Sequence, residues 1–151
     1  MKRVDHPPSD SQAQRLAELA AQALFAGDHA SRKLGITIEE VRPGFARLRM
    51  TVRTDMVNGH GMCHGGIVFA LADSAFAVAC NTHNAVTVAA AAAIDFLAPA
   101  HVRDELIAEA RELWRSRRSG LYEISVSDQR GETIALFRGR SHCTGGQLVP
   151  G

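Results

Sequence analysis

Between Ile67 and Cys80 the chain runs through fourteen residues of which only Asp73 and Ser74 are polar. A segment of that length, rich in alanine and apolar on every side, predicts a buried helix around which the rest of the chain must wrap. An ionised carboxylate among Phe69, Leu71, Phe76 and Val78 is costly to bury unless it is paired or hydrogen-bonded. Asp73 either caps a packing interface through a backbone donor or an arginine, or it does chemistry. Burial raises a carboxyl's pKa and so suits it to general-base or nucleophilic work.

The helix is fed by a glycine-rich loop, Asn58-Gly59-His60-Gly61-Met62-Cys63-His64-Gly65-Gly66. Free N–H groups at a helix N-terminus, aided by the helix dipole, can hold an oxyanion, and glycine lets a carbonyl approach the backbone closely. A plain tight turn would use the same glycines, but Asn58, His60 and His64 crowd the same loop. Gly65 and Asp73 are eight residues apart, which is about 12 Å along one helix axis. An acid that far from its oxyanion donor cannot act on the same carbonyl. If both serve one reaction, Asp73 must meet Gly65 of a second subunit, and two-fold symmetry then gives two equivalent sites per dimer.

Other constellations are weaker. His60, Cys63 and His64, with His142-Cys143, offer zinc-ligand types but no second pair at metal spacing. Cys63 beside His64 lacks an orienting partner for a thiol nucleophile. The loop lacks the GKS or GKT of a phosphate-binding loop and does not match GxGxxG.

Seventeen Lys+Arg against sixteen Asp+Glu leave a net charge of +1, which argues against a general nucleic-acid binder. Trp114 with Arg111, Arg115, Arg117 and Arg118 is the densest basic cluster, either a solvated edge or a site for a phosphate-bearing ligand. Three cysteines, none in a CxxC, read as reduced thiols in a cytoplasmic protein. No run of 18 or more apolar residues spans a membrane, and the N-terminal residues carry no signal-peptide pattern.

Elsewhere, residues 1–10 read as a loose tail, residues 11–146 as one domain, and 147–151 as a C-terminal tail. Ser9 and Gln12 stand at capping-box spacing before a short amphipathic helix closed by Gly27. Leu34–Arg42 and Ala46–Arg53 read as strands around a Pro43-Gly44 turn, the second with a solvated basic face. Leu121–Ser127 and Thr133–Ser141 read as strands joined at Asp128–Gly131. Val86–Leu97 and Glu105–Arg118 are ambiguous by propensity, since alanines favour helix and β-branched residues favour strand.

The run Asn58-Gly59-His60…His64-Gly65-Gly66…Leu71-Ala72-Asp73…Ala75-Phe76 resembles the signature of hotdog-fold acyl-CoA thioesterases. Ala79-Cys80-Asn81, Ile94-Asp95-Phe96-Leu97 and Ala135 to Gly139 extend the likeness over residues 34 to 146. It is most similar to the PaaI-type branch, of phenylacetic acid degradation. The resemblance implies an α+β hotdog fold: a long central helix wrapped by a curved antiparallel sheet of five or six strands, preceded by a short helix. It makes both ambiguous segments strands. It implies that Asp73 is the catalytic carboxylate, as nucleophile or as base for water, that the Gly65 N–H holds the oxyanion, and that Asn58 and His64 line the site. Ser74, Gly66, Arg117, Arg138 and Arg140 are the candidate substrate-binding residues, the arginines for coenzyme A phosphates. Phe69, Phe76, Met56 and Leu97 are candidates for an acyl pocket or for ordinary core.

The expected substrates are aryl-acetyl-CoA thioesters, including ring-hydroxylated forms, with no metal or other cofactor. The expected assembly is a homodimer pairing into a homotetramer. Alternatives are a broad or fatty acyl-CoA thioesterase, a hydratase-like relative (disfavoured because the helix lacks an HxxxD pair), and a noncatalytic acyl-CoA-binding domain.

Overall fold

The computed structural model describes residues 7–151, so most of the expected N-terminal tail lies outside the described residues. Helix α1, Asp10–Ala26, begins with the expected capping box. Ser9 Oγ accepts from the Gln12 N–H at 3.3 Å, and Gln12 Oε1 accepts from the Ser9 N–H at 2.8 Å. Gly27 is its C-cap. A second helix that the periodicity does not announce, α2, follows at His29–Lys33 with Asp28 as N-cap. Its C-cap, Leu34, and the turn in which the Gly35 N–H donates to the Arg32 carbonyl at 3.0 Å take up the start of the segment expected as strand, so β1 is shortened to Thr37–Arg42.

Strand β2, Phe45–Thr51, returns through a hairpin in which Gly44 adopts φ 72°, a conformation that favours glycine. Helix α3, Gly65–Asn81, then crosses the sheet and delivers the chain to its far edge. Strands β3 (Thr87–Phe96), β4 (Glu105–Arg115), β5 (Ser119–Ser127) and β6 (Thr133–Cys143) complete a six-stranded antiparallel sheet ordered β1-β2-β4-β5-β6-β3. Both ambiguous segments are strands. The alanine run Ala89–Ala93 pairs with β6 from Thr87 opposite Cys143 to Phe96 opposite Ala135, and that ladder outweighs the helical preference of alanine. β4 ends at Arg115, short of the expected Arg118, because the Ser116 N–H donates to the Ser119 carbonyl at 2.8 Å and turns the chain into β5.

The inner rows of the sheet close on α3. Leu48 and Met50 of β2, Leu106 of β4, Ile124 of β5 and Phe137 of β6 bury fully with Leu71, Ala75 and Phe76 of the helix. Burial of each large side chain contributes about 1.5–3 kcal/mol. Gly139 is needed here because a Cβ would lie 2.7 Å from the Phe76 ring. The Asn81 side chain donates to the Thr87 carbonyl at 2.9 Å and accepts from its N–H at 3.0 Å, which fastens the end of α3 to the start of β3.

Two expectations are corrected. The outer face of β2 is ion-paired, not simply solvated: Arg47 reaches Glu40 at 2.7 Å and Glu109 at 3.4 Å, and Arg49 reaches Glu105 at 3.1 Å. The central helix is not buried all round. Gly66 is exposed and Ala70, Asp73 and Ala77 are only part-buried, forming one stripe of small residues that the sheet, α1 and α2 cover incompletely. At the other end of the chain, the Asn84 side chain binds the backbone of Leu148 and Val149 at 2.9–3.1 Å, so the C-terminal segment is held on the body.

Candidate active site

His64 determines which N–H groups at the start of α3 remain free. Its Nδ1 accepts from the Gly66 N–H at 2.8 Å, and its carbonyl accepts from Ile67 at 2.9 Å and Val68 at 3.2 Å. Because Nδ1 accepts a hydrogen bond, the ring is in the Nε2–H form. Of the first four N–H groups of the helix, the Gly65 N–H is left without a partner among the described residues. Gly65 lines an apolar recess of about 390 Å³ together with Asn58, Met62, Val68, Phe96, Leu97 and Ile134, among others. Gly66, by contrast, has its N–H occupied by His64.

The 58–63 loop is closed on itself. The Asn58 N–H donates to the Met62 carbonyl at 2.8 Å, and Asn58 Oδ1 accepts from His60 N–H at 2.9 Å and Met62 N–H at 3.4 Å. With Oδ1 so occupied, Asn58 Nδ2 has no acceptor among the described residues and is a free donor at the recess wall. Phe96 covers Gly65 so closely that a Cβ there would lie 3.1 Å from its ring. Met62, Phe96 and Ile134 carry no site signal in the sequence, because they read as ordinary loop or strand residues. Leu97 does line the recess, whereas Phe76 and Met56 belong to the core and Phe69 packs edge-on against Phe137 at 5.1 Å.

Asp73 lies two turns along α3 on the incompletely covered stripe. Burial pushes its carboxyl above the ordinary carboxylate range, and the negative charge of Asp28 adds to the shift. Ser74, the adjacent polar residue, is buried, with its hydroxyl 2.8 Å from Ser31 Oγ and 2.7 Å from the Ala70 carbonyl, both within the protomer. Cys63 is a buried thiol that desolvation pushes up to about 11, which keeps it neutral near neutral pH.

The arginines divide into two groups. Arg117 and Arg118, on the β4–β5 turn, line a recess of about 350 Å³ with His142, Cys143 and Thr144. Arg140 lies on β6 two residues before His142, and Arg138 stands opposite Glu123 of β5, both exposed on the outer face of the sheet. The rest of the basic cluster is engaged: Arg111 pairs with Glu109 at 2.8 Å and stacks on Phe45, and Arg115 approaches Glu112 at 3.6 Å. Among the described residues no group of three or more His, Cys, Asp or Glu is placed to hold a metal ion, and no helix is long and apolar enough to cross a membrane.

With this geometry in view, residues 60–135 match the sequence profile of the thioesterase superfamily. The chain is 44% identical over 129 residues to acyl-coenzyme A thioesterase PaaI of Escherichia coli (strain K12), covering 85% of this chain and 92% of that one. The solved structure of the E. coli PaaI protein from the phenylacetic acid degradation operon superposes with a TM-score of 0.88 at 43% identity, covering 89% of this chain and 98% of that one. A point mutant of phenylacetic acid degradation protein PaaI from Thermus thermophilus superposes with a TM-score of 0.74 at 36% identity, covering 77% of this chain and 99% of that one.

Proposed function

The chain belongs to the thioesterase superfamily, and we propose that it hydrolyses aryl-acetyl-CoA thioesters to the free acid and coenzyme A. The observation that carries this reading is the Gly65 N–H, without a partner among the described residues, on a residue that lines an apolar recess of about 390 Å³ at the head of the helix that bears Asp73. A recess of that size with two amide donors, the Gly65 N–H and Asn58 Nδ2, suits a neutral aromatic acyl group, since small-molecule sites are mostly apolar with a few fixed polar groups.

In the reaction, the Gly65 N–H donates to the oxygen on which charge develops as the carbonyl becomes tetrahedral. Asp73, from the partner protomer, either attacks that carbonyl or takes a proton from the water that attacks it, and both routes need it ionised. The carbon–sulfur bond breaks, water supplies the oxygen of the new acid, and coenzyme A leaves as the thiol. Asn58 Nδ2 orients the water or the Asp73 carboxylate. His64 holds the helix entry so that Gly65, not Gly66, presents its N–H. No metal or prosthetic group takes part, because a thioester is activated enough for a carboxylate and an oxyanion donor.

The pairing of Asp73 with a second protomer's Gly65 rests on their separation of about 12 Å within one helix. It is supported by the incompletely covered stripe on α3 and by β3, a ten-residue edge strand whose alanines are exposed. An open apolar edge of that length is a template for a second copy. Dimers pair into a homotetramer, for which exposed Leu113 and Trp114 offer apolar surface. Arg117, with Arg140 and Arg138, takes the coenzyme A phosphates through guanidinium contacts. Ser74 supports α3 beside Asp73. The three thiols are unpaired, in keeping with a cytoplasmic enzyme.

The test is release of coenzyme A from phenylacetyl-CoA, read with a thiol reagent corrected for the protein's own cysteines. Wild type turns over, and Asp73→Ala loses at least about 100-fold, or roughly 2.7 kcal/mol of transition-state stabilisation. Turnover of fatty acyl-CoA in place of phenylacetyl-CoA would replace the substrate claim alone. An inert protein across a broad thioester panel would make it a binding domain.

A further inference from the structure

Helices α1 and α2 lie outside the segment that matches the thioesterase profile, yet they reach the helix that carries Asp73. Asp28, at their junction, caps α2. Its Oδ1 accepts from the Ser31 N–H at 3.0 Å and its Oδ2 from the Ser31 hydroxyl at 2.6 Å. A carboxylate only accepts, so the Ser31 proton is committed to Asp28 and Ser31 Oγ is left as an acceptor 2.8 Å from Ser74 Oγ. Ser74 in turn shares its one proton between Ser31 Oγ and the Ala70 carbonyl. Ser31 is 5% and Ser74 8% exposed, so both hydroxyls are held away from water and the chain is fixed. Two short bonds therefore anchor a carboxylate against α3 at the residue next to Asp73.

We propose that Asp28 is a positioning residue through which the N-terminal helices act on the site: its carboxylate, fixed by Ser31 and Ser74, sets a like charge against Asp73 and so determines the acid edge of turnover. This rests on Asp73 being the working carboxylate, as argued above.

The other charged groups packed against α3 stand elsewhere. At its C-terminal end, Glu112 of β4 is held by Tyr122 at 2.6 Å and His83 at 2.9 Å, with Arg115 nearby. Cys80, on α3 itself, is a thiol that burial pushes up to about 12, so it carries no charge near neutral pH. Glu39, Glu40, Arg47 and Arg49 of β1 and β2 pair among themselves or with β4. Arg15 and Glu18 of α1, His29, Arg32 and Lys33 of α2, Asp95 of β3 and Arg138 of β6 are exposed. Burial raises the Asp73 carboxyl, and the like charge of Asp28 adds to that effect. Like charges in close, partly desolvated positions disfavour each other's ionisation.

The test compares Asp28→Asn with Ser31→Ala. Asparagine keeps the helix cap and removes the charge, whereas alanine at 31 breaks the hydrogen-bond chain and keeps the charge. Two readouts are taken on each full-length variant: the Asp73 side-chain carboxyl titration by carbon NMR, and the pH profile of kcat/KM. Asp28→Asn moves the Asp73 midpoint and the acid limb together to lower pH by at least about half a unit. Ser31→Ala lowers the melting temperature and moves the midpoint by less. An Asp73 midpoint unmoved in Asp28→Asn, or unmoved in Ser31→Ala, overturns the proposal. A midpoint that moves while the acid limb stays put supports the action of Asp28 on Asp73 and overturns the catalytic reading of Asp73 instead.

Discussion

At residue 73 the needs of the fold and of the chemistry oppose each other. Burial, and then the charge of Asp28, raise the Asp73 carboxyl above its ordinary range. The folded chain therefore holds that proton more tightly than the unfolded chain does. The stabilisation it provides is present in acid and is lost as pH rises from the ordinary carboxylate range through the raised value. At neutral pH the ionised group is a net burden on the fold. Asp73→Asn is therefore expected to melt above wild type at neutral pH, and the gap should close on acidification; a series of thermal melts across pH checks both. A variant that melts below wild type at every pH would mean that the carboxylate is held by stabilising contacts. Asp73 was legible in the sequence because a lone acid in an apolar helix is conspicuous. Asp28 was not, because an aspartate after a glycine looks like any loop residue until the fold brings Ser31 against Ser74.

The element that organises the site is the first turn of α3, and its state depends on one side chain. Histidine is an unusual cap, yet His64 Nδ1 takes the Gly66 N–H and leaves that of Gly65 free. His64→Ala removes the cap at a cost of about 1 kcal/mol, which a denaturant titration measures. It also frees the Gly66 N–H to compete for the substrate oxygen, so kcat should fall more than KM rises, whereas His64→Asn, a good capping residue, should recover most of the stability. The glycine pair and the helix start were readable from residue types. The cap was not, because a histidine before two glycines carries no fixed geometry in the sequence. Among the strands, β2 showed itself by clean alternation, while β3 did not, since its five alanines carry a helical preference that only the ladder with β6 overrides. Helix α2 went unread because five mostly polar residues carry no periodicity, and its one signal was the capping Asp28.

On the scale of the whole molecule, the incompletely covered stripe of α3 and the open edge of β3 belong to the same argument. Within a protomer Gly65 and Asp73 stand about 12 Å apart along the axis of α3, several times the reach of a hydrogen bond. An assembly in which each site takes Gly65 from one chain and Asp73 from the other makes a quantitative demand. In a heterodimer of Asp73→Asn and Gly65→Val, one site combines the intact Gly65 of the first chain with the intact Asp73 of the second, and the other site carries both lesions. Either variant alone is inactive. Unfolded together in equal amounts and refolded, the two should recover roughly one quarter of wild-type activity, because random pairing makes half the dimers mixed and each mixed dimer has one working site. Sites built within single chains would leave the mixture as inactive as its parts. The dimer itself was legible only as a deduction from spacing, since no residue type announces an interface; the small residues at 66, 70 and 77 around Asp73 look like core until the fold shows that the described residues leave them exposed or only part-buried.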